Sequence, residues 1–190
     1  MLASNIGKTT LNPEAQAICD FWVSIGPSGW FTKNDVADAD ISTRFGNLHG
    51  TVLSGGHTDW CADAPGSLAY VILLDQFSRN MFRNDPRAFA GDKLALEAAG
   101  NAVSRGYHLT VDAGLASFFF LPFMHAENIA DQRRCVTLMH AHSGADSLKF
   151  ALLHLRVIAR FGRFPHRNAI LGRISSHGEI RFLEAGGFAG

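Results

Sequence analysis

Four arginines, a histidine and an asparagine crowd into the stretch VIARFGRFPHRNAILGR (157–173), at Arg160, Arg163, His166, Arg167, Asn168 and Arg173. They alternate with Phe161, Phe164, Ile170 and Leu171. A solvated basic tail has no use for so many bulky apolar residues, and a plain core helix has no use for the arginines. The planar guanidinium fork suits carboxylate and phosphate groups, and an imidazole titrates near neutral pH. The stretch therefore reads as a partly buried anion site. The competing reading is a surface helix whose arginine stems lie along an apolar face.

A second stretch carries compatible chemistry. Asp75, Gln76, Arg79, Asn80 and Arg83 follow a segment that is apolar nearly all round, and at about 100° per residue they cover one arc of a helix. Such an arc faces either a cavity or a network of buried ion pairs. A third stretch places His125 and Glu127 directly after an apolar run rich in phenylalanine. On one regular helix the two side chains would point about 200° apart, so they converge only if the helix breaks between them.

Together these residues suggest acid–base candidates in His125, Glu127, His166 and Asp75. Gln76, Arg79, Asn80, Arg83, Arg160, Arg163, Arg167, Asn168 and Arg173 would bind the substrate. No G-x-S-x-G is present and Ser78 has no evident paired base, so a serine nucleophile is not expected. Neither H-E-x-x-H nor C-x-x-C occurs, and no metal or other cofactor is expected.

The elements that must position these groups read as helices. Pro13 opens a helix with Ala17, Ile18, Phe21, Trp22 and Ile25 on one face, closed by Gly26-Pro27. A second carries Val36, Ile41, Phe45 and Leu48. The central helix runs from Leu68 to Phe82, followed by an Asp85-capped helix from Pro86 to about Arg105. Pro122 should kink or restart the run Leu115 to Met124. Helices from Ile129 to about His142 and around Phe150 to Phe161 come next, and Ser176 with Glu179 forms a capping-box pattern for a last one. No segment alternates as a strand does. The expectation is an all-α array of about eight to ten antiparallel helices, with residues 1–12 as a flexible leader and 13–190 as one domain.

Bulk properties agree with a cytoplasmic globular protein. Hydrophobic residues make up 47% and charged residues 18%, and no apolar run is long enough to span a bilayer. The opening residues lack the apolar core of a secretion signal. Formal net charge is zero, yet from Arg133 onward nine Lys and Arg face three Asp and Glu, against eight and fourteen before it. The imbalance means either an anionic partner or two halves that pair with each other.

The stretches LLDQFSRNMFR (73–83), FLPFMHAENIADQ (120–132) and RFGRFPHRNAILGR (160–173) resemble the signature segments of the bacterial family catalogued as domain of unknown function 924. The likeness extends through Phe21-Trp22, Trp30-Phe31, Arg44-Phe45 and the AF-x-x-D run at 88–92, nearly the whole chain. It implies a tetratricopeptide-repeat-like helical fold and no particular activity. The chain departs from the family at Ala126, where relatives carry serine, at SSHGE (175–179), and at Ala39-Asp40.

Two kinds of function suit these features. One is an enzyme acting on a small phosphate- or carboxylate-bearing molecule by hydrolysis or elimination. The other is a non-catalytic scaffold gripping an acidic peptide or protein. Nucleic acid is disfavoured, because the arginines are interleaved with core residues and net charge is zero.

Overall fold

The structure, a computed structural model, describes residues 11–188, all of them helical or in connections, with no strand among them. The first ten residues of the expected leader lie outside the described residues. The architecture is the expected all-α array of eight to ten helices. No helix among the described residues is long and apolar enough to cross a membrane.

Helix α1 (Pro13–Ile25) starts where the Asn12 side chain accepts from the Glu14 N–H, with proline in the first turn, and stops at Gly26. Helix α2 (Asp35–Leu53) is capped in the same way by Asn34. Helix α3 (64–81) is the central element, opened by Asp63 accepting from Gly66 N–H at 2.8 Å. Its middle, Ile72–Phe77, is π-helical, and every residue of that segment is buried. The expected helix at Pro86 is instead a single 3-10 turn, Pro86–Phe89, and helix α4 (Asp92–Ser104) begins after Gly91.

Gly91 explains that break. A Cβ there would stand 2.5 Å from the Leu74 carbonyl oxygen. Only a glycine lets the start of α4 lie so close to the π-helical backbone. Pro122 restarts the phenylalanine-rich run as expected, giving the short helix α5 (Leu121–His125). Helices α6 (Ile129–His142) and α7 (Ala145–Phe161) form an antiparallel pair joined at Ser143-Gly144. Helix α8 (His177–Glu184) carries the expected capping box between Ser176 and Glu179.

Helix α3 packs against α1, α2 and α4. The main core gathers Ile18, Trp22, Phe45, Leu73, Phe77, Phe118 and Phe123 around it. Trp22 packs on Phe77 and Phe118 with ring centroids 5.6 and 5.4 Å away. Burial of these large rings supplies the main drive for folding. A smaller cluster of Val157, Ile158 and Phe164, with Phe161, Phe182 and Phe188 against it, sits under the last helix. The polar residues of interest lie where these two clusters meet.

Candidate functional site

Asp75 is the deepest charged group, 1% exposed within the π segment. Its carboxylate stands 2.7 Å from His125 Nδ1 and 3.1 Å from Arg79 Nη1. Burial opposes its ionisation, but Arg79 and His125 outweigh it and hold the carboxyl well below the usual carboxylate range. An ionised carboxylate only accepts hydrogen bonds, so His125 donates through Nδ1 and its Nε2 carries the lone pair. Burial and the Arg79 charge keep His125 below its ordinary pKa, against the pull of Asp75. At neutral pH this is an oriented, neutral imidazole with a basic Nε2, the arrangement that suits a general base.

Arg79 Nη1 also lies 2.9 Å from Asp92 in the first turn of α4, and Asp92 in turn lies 3.4 Å from Arg167 Nη1. Arg167 is only 6% exposed. Its guanidinium sits over the rings of Phe89 and Phe164, 4.7 and 4.5 Å from their centroids. Such stacking suits a weakly hydrated planar cation. Burial and the neighbouring Arg79 charge lower its pKa to about 10, so it stays cationic at neutral pH. Among the described residues, no acceptor meets the buried N–H donors Arg79 Nη2 and Arg167 Nε.

His154 and His166 complete the cluster. The His154 ring lies 6.4 Å from that of His125, 5.6 Å from Phe164 and 4.4 Å from Phe188. His166 lies 5.6 Å from Phe164 and 5.5 Å from Phe188, and its buried Nδ1 has no hydrogen-bond partner among the described residues. Burial pushes both imidazoles down to about 4, with the Arg167 charge adding to the effect. Both are neutral at pH 7.

The three stretches therefore meet, but only part of each. Gln76 donates to Asp75 and braces it. Asn80 and Arg83 leave the site altogether: both bind Asp38 on α2. The expected single arc fails because a π turn is wider than an α turn and rotates the later residues of the helix away from it.

Glu127 is not free for acid–base work. The backbone at Ala126 is extended, which separates Glu127 from His125. Its carboxylate accepts from Arg173 at 2.6 and 3.0 Å and from the Phe164 N–H at 2.7 Å. Burial is outweighed by these donors, and its pKa falls. Arg173 additionally donates to the Asn168 side chain at 2.9 Å and the Phe164 carbonyl at 3.1 Å, while Asn168 donates to Ser175. Together Glu127, Arg173 and Asn168 pin the loop that presents Arg167.

Arg163 grips Glu179 with two bonds of 2.7 and 2.8 Å and the Ile174 carbonyl at 2.9 Å, tying α8 to the loop. It is a fastener. Gly162 adopts the left-handed conformation and ends α7, so Arg163 does not continue the helical face of Arg160. Arg160 covers Phe161 and Phe182 at the surface. The excess basic charge of the later half is thus used partly on acids of the earlier half, Asp92 and Glu127.

Asp92 and His154 belong to the cluster and were not among the expected site residues. Asp92 had a signal, the acidic first turn after Phe89. His154 had none, since its spacing places it on the apolar face of α7. Ser78 does have a paired imidazole, His49 Nε2 at 2.7 Å, correcting the expectation. The serine is fully buried and also bonds the Leu74 carbonyl at 2.6 Å, which makes the pair a brace between α2 and α3. Among the described residues, no cluster of three or more His, Cys, Asp or Glu could hold a metal ion.

An all-helical array built around this buried polar cluster matches one protein family over nearly its full length. The sequence profile of the family described as bacterial protein of unknown function (DUF924) covers residues 18–187, and the chain belongs to that family. Its fold is similar to that of the solved protein of unknown function ATU0120 from Agrobacterium tumefaciens. Identity with that protein is 41% over 90% of this chain and 97% of the other, with a TM-score of 0.87. No curated protein matches the chain.

Proposed function

We propose that the recess bounded by His125, Arg79, Arg167 and His166 binds a small carboxylate- or phosphate-bearing molecule, and that the protein is a cytoplasmic enzyme of hydrolase or lyase type. The observation that carries this reading is the pair of buried N–H donors, Arg79 Nη2 and Arg167 Nε, without acceptors among the described residues, in the cluster that orients His125 through Asp75. A buried donor left unmatched costs roughly 1–3 kcal/mol. A fold that places two of them next to an oriented imidazole has a use for them in an acceptor brought by a ligand. Arg79 and Arg167 then hold the anion, His125 moves a proton at Nε2, and Asp75 orients His125. Arg163, Arg173 and Glu127 hold the scaffold.

The test is thermal-shift screening of the wild-type protein and Arg167→Lys against small phosphates and carboxylates. A ligand that binds only the folded state raises Tm. Stabilisation of the wild type that the lysine variant loses supports the reading. Equal stabilisation of both places the anion elsewhere and refutes it.

A further inference from the structure

The charges already present in the recess narrow its ligand further. We infer that the anion taken there is a monocarboxylate with an apolar body, and that it binds together with one proton from solvent, which His125 receives at Nε2. The inference rests on the anion-binding reading above and selects between the two anion classes that reading admits.

Arg79 and Arg167 are the cations that face the recess, and both lean on Asp92, with Asp75 against Arg79 as well. Two positive charges therefore meet two negative ones. Glu127 and Arg173 form a further neutral pair on the adjoining loop. His154 and His166 face the recess from α7 and from the loop, and both are uncharged at pH 7. The recess is electroneutral before anything binds.

A phosphate monoester dianion would leave two uncompensated negative charges among buried groups, a costly state even with good hydrogen bonds. A carboxylate leaves one. His125 is the group that can cancel it: its neutral Nε2 makes no hydrogen bond among the described residues, and Asp75 at Nδ1 stabilises the imidazolium. A single proton added there restores neutrality.

Geometry and shape point the same way. The donors without acceptors among the described residues belong to two arginines that share Asp92, and a carboxylate offers two oxygens on a short baseline. The neighbouring rings are aromatic: Phe89 and Phe164 both lie against the Arg167 guanidinium and Phe188 against His154 and His166, and of these Phe89 and Phe188 are half-buried, with surface left to meet a ligand. An aromatic or aliphatic body beyond the carboxylate has rings to pack against.

The experiment is calorimetric titration of the full chain at pH 7.5 with phenylacetate and with phenyl phosphate, which share a body and differ in charge. Acetate and inorganic phosphate serve as probes of the head groups alone. Each titration is repeated in buffers of different ionisation enthalpy, which reads the protons taken up. The expected result is that phenylacetate binds at least tenfold more tightly than phenyl phosphate and takes up close to one proton per molecule. His125→Gln should lose that uptake and bind at least tenfold more weakly, with its helix content checked by circular dichroism. If the variant does not fold, the buffer dependence of the wild type decides.

Phenyl phosphate binding as tightly as phenylacetate or more so would overturn the monocarboxylate inference and leave the anion-binding reading standing. Carboxylate binding with no proton uptake would overturn the role given to His125. Failure of all four probes to bind would overturn both the inference and the reading beneath it.

Discussion

Asp75 and His125 stand 2.7 Å apart, carboxylate to Nδ1, although 50 residues of chain separate them. That contact fixes which nitrogen of the imidazole holds its proton and which is free. It also joins the π segment of α3 to the end of α5, so the orientation of His125 depends on backbone geometry that an ordinary helix would not provide.

Arg167 and Arg163 should behave differently when replaced. Arg167→Lys keeps a charge but loses the fork over Phe89 and Phe164, and anion binding should weaken at least tenfold. Arg163→Ala should lower Tm by freeing α8 while leaving the affinity of the folded protein within about twofold. Calorimetric affinities beside thermal melts separate the two effects.

Gly91→Ala should be destabilising by about 2 kcal/mol, because the added methyl meets the Leu74 carbonyl oxygen at 2.5 Å. Relief requires the start of α4 to move, which carries Asp92 away from Arg79. Anion affinity should therefore fall along with stability. A variant that melts lower but binds normally would show that Asp92 does not set the Arg79 position.

Glu127→Gln removes the charge that Arg173 and the Phe164 N–H both need. The expected cost is about 2 kcal/mol in urea unfolding, below the loss for a fully buried pair because the carboxylate is a quarter exposed. Were Glu127 the acid–base group instead, the variant would keep its stability and lose activity.

Stability should fall with acid in two stages. His154 and His166 titrate near 4 when folded and near about 6.5 when unfolded, so the unfolded chain binds more protons between those values. Their contribution is complete above the unfolded value and is lost as pH drops toward 4. Asp75, Glu127 and Glu179, all depressed, add stability above about pH 4 that disappears at lower pH as they protonate. Tm should begin to decline below about pH 6.5, and His166→Asn should flatten that upper stage. A Tm constant down to pH 4.5 would contradict the burial of these imidazoles.

Much of the helical frame was legible because it depends on local rules. Pro13, Pro122 and the Ser176–Glu179 capping box start helices where their chemistry says they should. Asp75, Arg79, His125, His166 and Arg167 were legible as residue types with matching chemistry, and the structure brings them into one buried cluster. What sequence could not supply was the partner of each charge. Arg163 and Arg173 look like anion clamps until Glu179 and Glu127 are found in their forks, and Arg83 does until Asp38 is found. The wheel through Asp75 to Arg83 assumed an α-helical period that Ile72–Phe77 does not keep. Asp92 was hidden because its role depends on Gly91 letting α4 approach the π segment.

The most direct measurement is the side-chain 15N NMR spectrum of the histidines, with His125 assigned by comparison with His125→Gln, recorded at pH 7.5 before and after saturation with a carboxylate that raises Tm. The expected result is a neutral His125 with its proton on Nδ1 and a bare Nε2 in the free protein, converting to the doubly protonated form when the ligand binds. A proton on Nε2 in the free protein, or a His125 signal unmoved by a bound carboxylate, would contradict the site as assigned.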